Sequence, residues 1–549
     1  MKWIFCLFAI YCALDFHFVD SVLVNTPLGS ILGTVKQYGA RNVLQFLNVP
    51  YAEPPVGLLR FQKPVPVRPW IGILNATAYG PACVQSQLPI HQMSENCLKL
   101  NIYIPNSINI RSPRAVMVYI HGGGYINGQG KSQDGALLAL TGDVIVITIN
   151  YRLDVFGFLG TEYLELPGNY GLWDQRQSFL WVRNYIAAFG GNPNLVTIFG
   201  ESAGAYSVGL HLVSNRNTGL FNRAICESGT TLSPRALAFD PIGFSRRFLI
   251  QIGCFPSGNV RNVSICLISK PAVDILLASN IAKQEHFLAF RLEIGPVVDG
   301  DFLQKQPFQL LTAPDIPLPN VDLMAGTNSA EGILILGPLS GYQNQLQMDL
   351  RQGIPTRVLC FNISTAISRD YYLNSPLVAN EICQTYSSAG LPDDQQARQV
   401  VDMYGDMSFL APTVAILDVH TQLSKGRSSY QYYFTHEAVS STIRVNYPWF
   451  VGVPHAGELP FVFGPAISFP PGTTYTQAEV EFSNKLQIYW TNFAKRGNPN
   501  GLHIQSWTRY STAKSFINLD LVMSPGNHIF PDRMKLWLSK NPVAFPIVG

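Results

Sequence analysis

The chain has little charge. Only 13% of its 549 residues are charged, the formal net charge is +3, and no long basic run occurs. Nucleic-acid-binding proteins need clustered Lys and Arg for phosphate contacts, so this composition argues against a nucleic-acid partner. Internal repeats and low-complexity linkers are also lacking. The sequence therefore predicts one domain over residues 21–549.

After the N-terminus, the sequence has no apolar run that approaches the roughly 18 residues of a membrane-spanning helix. The stretch from Trp3 to Leu14 follows Lys2 and is too short to span a bilayer, which is typical of a signal peptide. We predict this signal over residues 1–20, with cleavage between Ala13 and Ser21. The sequence thus predicts a secreted protein with no integral membrane segment.

Cysteine is sparse, and two of the nine cysteines lie in the predicted signal. Cys226 sits in an apolar run and is expected to be a buried free thiol. A Cys360–Cys383 pair rests only on parity and is left open. Two close pairs in turn-rich stretches are predicted to form small disulfide loops, namely Cys83 with Cys97 and Cys254 with Cys266.

Three Asn-X-Ser/Thr triplets are candidate glycosylation acceptors in a secreted protein, at Asn75, Asn262 and Asn362. No metal-binding or nucleotide-binding motif is present. No cofactor or metal is expected.

Short, fully apolar segments alternate with helical patterns. Ala115–Ile120 and Val144–Ile149 are typical of strands buried on both faces of a parallel sheet. Residues 340–425 are expected to be helical and to cover the mouth of the sheet. The alternation predicts an α/β fold with a doubly wound, mostly parallel sheet. Further elements are expected at Arg223–Glu227, Val321–Ala325 and Tyr430–Phe434 as strands and at Phe482–Ala494 as a helix.

The chain is organised around Leu195–Ala205, where a β-branched run ends in Gly200-Glu201-Ser202-Ala203-Gly204. Gly-x-Ser-x-Gly supports a tight strand-to-helix turn that holds the serine in a strained conformation at the strand's C-terminal end. A serine hydroxyl is a weak nucleophile and needs an imidazole, which in turn needs a carboxylate. Glu331, after a predicted strand, and His455, among turn residues, follow in the order that such hydrolases use.

Three stretches, Phe199–Ala205, Gly326–Gly332 and His455–Gly464, resemble the type-B carboxylesterase/lipase family, which includes cholinesterases, bile-salt-activated lipase and neuroligins. The similarity covers essentially the whole mature chain. It implies an α/β-hydrolase fold with helical insertions around the active-site mouth. It also implies Ser202 as nucleophile, His455 as general base and acid, and Glu331 as the orienting acid. It extends through Asn48–Gly57, Gly122–Gly124, Gly168–Gln175 and Tyr489–Asn500.

The resemblance implies further site residues. Backbone amides of Gly123, Gly124 and Ala203 would form the oxyanion hole, because glycine lets the backbone approach the substrate closely. The expected polar support comes from Glu201, Ser228 and Glu458, and the expected acyl pocket from Phe290 and Leu292.

The sequence departs from cholinesterases where those enzymes bind a quaternary ammonium. Residues 84–96, inside the first disulfide loop, contain no aromatic side chain, and Ile333-Leu334-Ile335 follow Glu331. Cation–π contact needs an aromatic face, so a neutral or lipid-like ester is the expected substrate. The alternatives are a cholinesterase and a non-catalytic, neuroligin-like adhesion protein. Besides the ester substrate, a second copy of the chain, in a homodimer, is the other candidate partner.

Overall fold

A computed structural model describes residues 21–540 of the protein, except residues 164, 256–260, 284–290, 313–319, 425 and 465–473. The predicted signal peptide and Phe290 lie outside the described residues. The described strands are β1 Ser21–Thr26, β2 Gly29–Tyr38, β3 Arg41–Pro50, β4 Ile73–Asn75, β5 Lys99–Pro105, β6 Arg114–Ile120, β7 Ile145–Ile149, β8 Gly191–Glu201, β9 Arg223–Glu227, β10 Asp322–Asn328, β11 Ser429–Phe434, β12 Ser515–Leu519 and β13 Ser524–Asn527.

Within the described residues, these thirteen strands form one sheet in the order β1-β2-β3-β5-β7-β6-β8-β9-β10-β11-β12-β13, with β4 beside β2. From β7 to β12 every neighbouring pair is parallel. Antiparallel strands extend the sheet at both ends. The mostly parallel α/β sheet that the sequence predicts is therefore confirmed.

The central strands are apolar on both sides because both faces of the sheet are covered. In β6, Val116 and Val118 pack into one core while Met117 and Tyr119 pack into the other, and all four are at most 1% exposed. Successive strand residues point to opposite faces, so a strand between two layers must be apolar throughout. Strand β6 lies between β7 and β8, which places its C-terminal end beside the elbow at Ser202.

Helices cover both faces of the sheet. The segment around residues 356–423 is helical, as expected for the mouth of the sheet. The described helices are α1 Ala136–Gly142, α2 Asp154–Phe158, α3 Tyr170–Tyr185, α4 Ala203–Val213, α5 Pro241–Gln251, α6 Arg261–Ser269, α7 Ala272–Ala282, α8 Pro307–Thr312, α9 Leu336–Ser340, α10 Thr356–Val358, α11 Ser364–Tyr371, α12 Pro376–Tyr386, α13 Asp393–Gly405, α14 Ala411–Leu423, α15 Ile443–Asn446, α16 Leu459–Phe463, α17 Gln477–Arg496 and α18 Pro531–Lys540.

Two elements are longer than their apolar patterns predict. Strand β10 runs to Asn328, because its last residues pair with β11 although they are polar. Helix α17 begins five residues before Phe482, because Thr476 and Glu479 form a reciprocal capping box. It ends at Gly497, whose φ of 67° stops the helix. Polar residues of this kind leave no trace in hydrophobic periodicity.

One described helical stretch, Asp393–Leu423, is long and apolar enough to cross a membrane. Its apolar window is 94% buried inside the fold. A helix that is apolar on most sides and buried is typical of a protein core. Residues Val263–Ser269 and Ala272–Ala282 meet the same criterion only as a pair bent by 117°.

The structure contains both disulfides that the sequence predicts, Cys83–Cys97 and Cys254–Cys266. It contains a third, Cys360–Cys383, which cysteine spacing left open. Cys226 is free and buried, and burial raises the pKa of its thiol. Three disulfides are typical of a protein that folds in an oxidising compartment.

Candidate active site

Ser202 occupies a strained turn between β8 and α4. Its φ is 56° and its ψ is −122°, a conformation that L-residues rarely adopt. The two flanking glycines are required by close packing, because a Cβ at Gly200 or Gly204 would lie 2.6 or 2.0 Å from the carbonyl oxygen of Ile120. The strain and the packing hold Ser202 at the first turn of α4, where backbone amides are unpaired.

Glu331 and His455 meet although 124 residues separate them. The Glu331 Oε2 atom lies 2.6 Å from His455 Nδ1, and its Oε1 accepts a hydrogen bond of 2.7 Å from the Asn328 amide. Glu331 follows β10, as the sequence predicts, and is the first residue of a 3-10 helix, Glu331–Ile335. A carboxylate on Nδ1 fixes the imidazole so that Nε2 is the atom left for chemistry.

The segments that carry these two residues are bonded to each other. The amide of Ala330 donates to the carbonyl of Val453 at 2.9 Å, and the Asn328 side-chain amide donates to the carbonyl of Pro454 at 3.0 Å. Both segments follow the C-terminal ends of neighbouring parallel strands, β10 and β11. Strand order therefore brings the acid and the base to one edge of the sheet.

The other ring nitrogen of His455 faces a second carboxylate. Its Nε2 atom is 3.0 Å from Glu201 Oε1, and neither atom forms a hydrogen bond with the described residues. A hydrogen bond from Ser202 to Nε2 is thus not formed in the described part of the chain. Catalytic hydrogen bonds are often loose without substrate and tighten in the complex. The structure thus brings two members of the predicted triad, Glu331 and His455, into contact. The third, Ser202, directly follows Glu201, the residue that faces Nε2.

Buried carboxyl groups surround this histidine. The Trp490 indole donates to Glu227 Oε1 at 2.5 Å, and Asn328 Nδ2 donates to Glu458 Oε2. Burial, reinforced by the charges of neighbouring glutamates, raises the pKa values of Glu201 and Glu227 well above the ordinary range. The same causes raise the pKa of Glu458 to about 8. The raised pKa values favour the protonated form of these groups, which keeps several negative charges from crowding one site.

The raised pKa of Glu458 predicts a pH-dependent stability. Below its ordinary value of 4.5 the carboxyl is protonated in both the folded and unfolded states. Between 4.5 and about 8 only the folded state keeps the proton, so the free energy of unfolding falls by up to about 1.4 kcal/mol for each pH unit. Above that range the loss is constant. The contribution of Glu458 to thermal stability should therefore be lost between about pH 5 and pH 8.

The matched variant is Glu458→Gln, which keeps the shape and an acceptor for Asn328 but cannot ionise. Its melting temperature relative to wild type should rise as the pH rises over that range. A difference that does not change with pH would contradict a raised pKa at this position.

A glycine loop lies against the elbow. Gly123 and Gly124 have φ values of 100° and 61°. A Cβ at Gly122 would lie 2.6 Å from Glu201 Oε2 and 3.0 Å from Ser202 Cβ, so the loop and the nucleophile turn are in contact. A Cβ at Gly124 would lie 4.0 Å from Ile126 Cγ1, so the space beside this residue is open. The loop can therefore present backbone N–H groups beside Ser202 and Ala203.

Sequence reasoning missed Phe409. Its ring centroid is 4.9 Å from that of His455, and its other neighbour is Tyr206, at 6.4 Å in a stacked arrangement. Phe409 lies in a π-helical turn, Asp406–Leu410, between α13 and α14. Such turns occur often at functional sites, but here the turn is hidden inside a continuous apolar helix pattern.

The remaining predicted residues lie in different settings. Ser228 is buried at the end of β9, and its hydroxyl has no hydrogen-bond partner among the described residues. Leu292 is 7% exposed, and a Cβ at Gly295 would lie 3.3 Å from Leu292 and 3.5 Å from Tyr125. Asn75 is exposed at the end of β4 and Asn362 is partly buried. The side chain of Asn262 is outside the described residues.

Comparison with known proteins agrees with the fold. The model of the carboxylesterase family matches residues 20–540. The chain is 33% identical to mouse (Mus musculus) carboxylesterase 5A over 517 residues, which covers 91% of this chain and 85% of that protein. It is 30% identical to human (Homo sapiens) neuroligin-2 over 588 residues, covering 95% of this chain and 68% of that protein. From this match and its α/β-hydrolase sheet, the chain belongs to the carboxylesterase family.

Proposed function

We propose that this protein is a serine esterase that hydrolyses neutral or lipid-like carboxylic esters through an acyl-enzyme. The observation that carries the proposal is the 2.6 Å contact between Glu331 Oε2 and His455 Nδ1 beside the strained Ser202. An oriented imidazole and an accessible serine are the minimum that nucleophilic acyl transfer needs, and Ser202 is partly exposed.

In the proposed reaction the Ser202 oxygen attacks the ester carbonyl carbon, and His455 Nε2 takes the hydroxyl proton. Amides of Gly123, Gly124 and Ala203 donate to the carbonyl oxygen as it becomes negative. The tetrahedral intermediate expels the alcohol, to which His455 returns the proton. Water then attacks the acyl-enzyme with the same histidine as base, releasing the acid and restoring Ser202. Glu331 stabilises the imidazolium in both steps.

Glu201 gives this site a feature of its own. Its carboxyl group lies on the Nε2 side of His455, where the Ser202 proton must arrive. Burial and the neighbouring charge of Glu331 raise the pKa of this carboxyl, which favours its neutral form and weakens its competition as an ion for the imidazole.

A non-catalytic, neuroligin-like role is the second candidate. It is favoured by the 30% identity to neuroligin-2 and by Nε2 facing Glu201 and not Ser202. Hydrolysis of p-nitrophenyl esters from short to long acyl chains by the purified protein separates the two. Turnover that saturates with substrate supports the esterase, and no turnover above buffer at any chain length refutes it.

We also propose that the enzyme is secreted. Three disulfides support folding in an oxidising compartment, in line with a signal over residues 1–20 and secretion. Glycans on Asn75, Asn262 and Asn362 and a homodimer belong to this proposal. So does a single domain over residues 21–549.

Choline esters are expected to gain nothing over neutral esters of the same acyl group. The first disulfide loop has no aromatic residue from Val84 to Asn96. A desolvated cation–π contact is worth about 2 kcal/mol, so its absence removes roughly thirtyfold in preference. The measurement compares kcat/KM for acetylthiocholine with that for an uncharged thioester of matched size.

Tyrosines near residues 371–386 are the alternative source of an aromatic face. Tyr386 is directed elsewhere, since its hydroxyl donates to Asp406 Oδ2 at 2.6 Å. Tyr371 packs against Phe239 with ring centroids 6.0 Å apart. A strong preference for the charged thioester would contradict the neutral-ester proposal, and substitution of Tyr371 would then be the next step.

A further inference from the structure

One short segment holds both ends of the glycine loop. The Tyr151 hydroxyl donates to the carbonyl of His121 at 2.9 Å, just before the glycines. The Asp154 amide donates to the carbonyl of Tyr125 at 2.8 Å, just after them. Tyr151 also stacks on the His121 ring at 4.4 Å. The position of the loop relative to Ser202 therefore depends on residues 151–154.

Asp154 is an unusual residue for its backbone conformation. Its φ is 52°, it opens α2, and it is 0% exposed. Glycine adopts such a conformation freely, whereas Asp and Asn do so only at some cost. A buried carboxylate in addition needs partners to offset its lost hydration. Because both the positive φ and the burial of the carboxylate are unfavourable, we infer that the contacts of Asp154 stabilise this conformation.

Those contacts come from α7. Lys283 Nζ, directly after the helix, lies 2.8 Å from Asp154 Oδ2. The Ser279 hydroxyl donates to Oδ1, which also accepts the Val155 amide at 2.8 Å. Lys283 is partly exposed, with 24% of its side chain accessible, while the aspartate is fully buried. The carboxylate therefore ties the start of α2 to a helix far along the chain.

We propose that Asp154 is a positioning residue that holds the oxyanion-hole glycines in place through its amide and its anchor on Ser279 and Lys283. The inference rests on the proposed function, because it assigns those glycines to the oxyanion hole. With the anchor removed, nothing restrains the 154 backbone in this conformation, so its N–H is free to turn away from the Tyr125 carbonyl. The glycine amides then lose alignment with the oxygen that becomes negative only in the transition state, so kcat falls and KM does not.

The test uses the full-length protein and two substitutions at one position. Asp154→Gly keeps the positive φ accessible but removes the anchor, and we expect kcat to fall about tenfold to a hundredfold with KM within about twofold. Asp154→Asn keeps the acceptor for Ser279 and Val155 and also tolerates positive φ, so it should retain kcat within about threefold. Ile31→Ala, in a fully buried site on β2, controls for general destabilisation.

A second readout separates positioning from stability. A trifluoromethyl ketone forms a hemiketal oxyanion on the nucleophile, so its inhibition constant should rise in Asp154→Gly by the same factor as kcat/KM falls. Lys283→Met gives an independent route to the same loss, because it leaves the Asp154 carboxylate buried without its cation.

The outcomes are decisive in either direction. Equal kcat in wild type and Asp154→Gly overturns the inference, as does an unchanged ketone affinity or a loss no larger than that in Ile31→Ala. If Asp154→Gly does not fold, Lys283→Met decides, and normal kcat in that variant overturns it. A wild-type protein without ester turnover would refute the proposed function. The role of Asp154 is tested only by comparing its variants with an active wild type, so the two failures are distinguishable.

Discussion

Replacing Ser202 by alanine is expected to abolish ester hydrolysis while leaving the fold intact. The change removes one oxygen from a turn whose shape is set by Gly200 and Gly204 against Ile120. Loss of the nucleophile costs on the order of 10⁶ in kcat in a serine hydrolase, because the other members of the triad cannot act alone. The measurement is kcat/KM on a p-nitrophenyl ester, with the melting temperature recorded for the same preparation.

The matched control is Ser511→Ala, a serine in an exposed loop, which should leave turnover unchanged. An organophosphate probe followed by peptide mapping identifies the reactive residue directly. Labelling of Ser202 in wild type, and none in Ser202→Ala, is the expected result. Covalent label on any other residue would contradict the assignment of the nucleophile.

Replacing Glu331 by glutamine is the second large effect that we expect. The variant keeps the size of the side chain but loses the charge 2.6 Å from His455 Nδ1. The imidazole can then adopt the wrong tautomer and its protonated form is no longer stabilised, which costs about 10⁴ in kcat. Turnover of a p-nitrophenyl ester measures the loss.

Glu458→Gln is the matched control for charge at this site. Glu458 is buried near the same histidine, but its pKa of about 8 keeps it largely protonated near neutral pH. A neutral glutamine therefore changes little, and we expect less than a tenfold effect at pH 7. If the effects were reversed, with Glu331→Gln near normal and Glu458→Gln inactive, then Glu458 and not Glu331 would orient His455.

Much of the fold could be predicted because it is built on strands buried on both faces. The runs Ala115–Ile120 and Val144–Ile149 are apolar at every position but Thr148, a pattern typical of a covered parallel sheet. Both lie in the centre of the sheet, in β6 and β7. Polar ends of elements could not be predicted in this way, as the last residues of β10 illustrate.

Phe409 and Asp154 show what sequence patterns cannot indicate. Phe409 reaches His455 because a π-helical turn changes the helical phase between α13 and α14. Apolar periodicity is insensitive to one extra residue in a continuous run. The partners of Asp154, Ser279 and Lys283, lie more than 120 residues away in the chain, and nothing local specifies them.

The sequence by itself determined the α/β class and the tight strand-to-helix turn at Ser202, because these depend on local chemistry and on residue types at short spacing. It also predicts Ser202, Glu331 and His455 as nucleophile, acid and base. Only the tertiary structure decided that Glu331 meets His455 Nδ1, that Glu201 faces Nε2, and that Cys360 pairs with Cys383. These contacts are set by strand order and helix packing, which bring together side chains far apart in the chain. The distances between these side chains and the shifts of their pKa values therefore arise only in the folded protein.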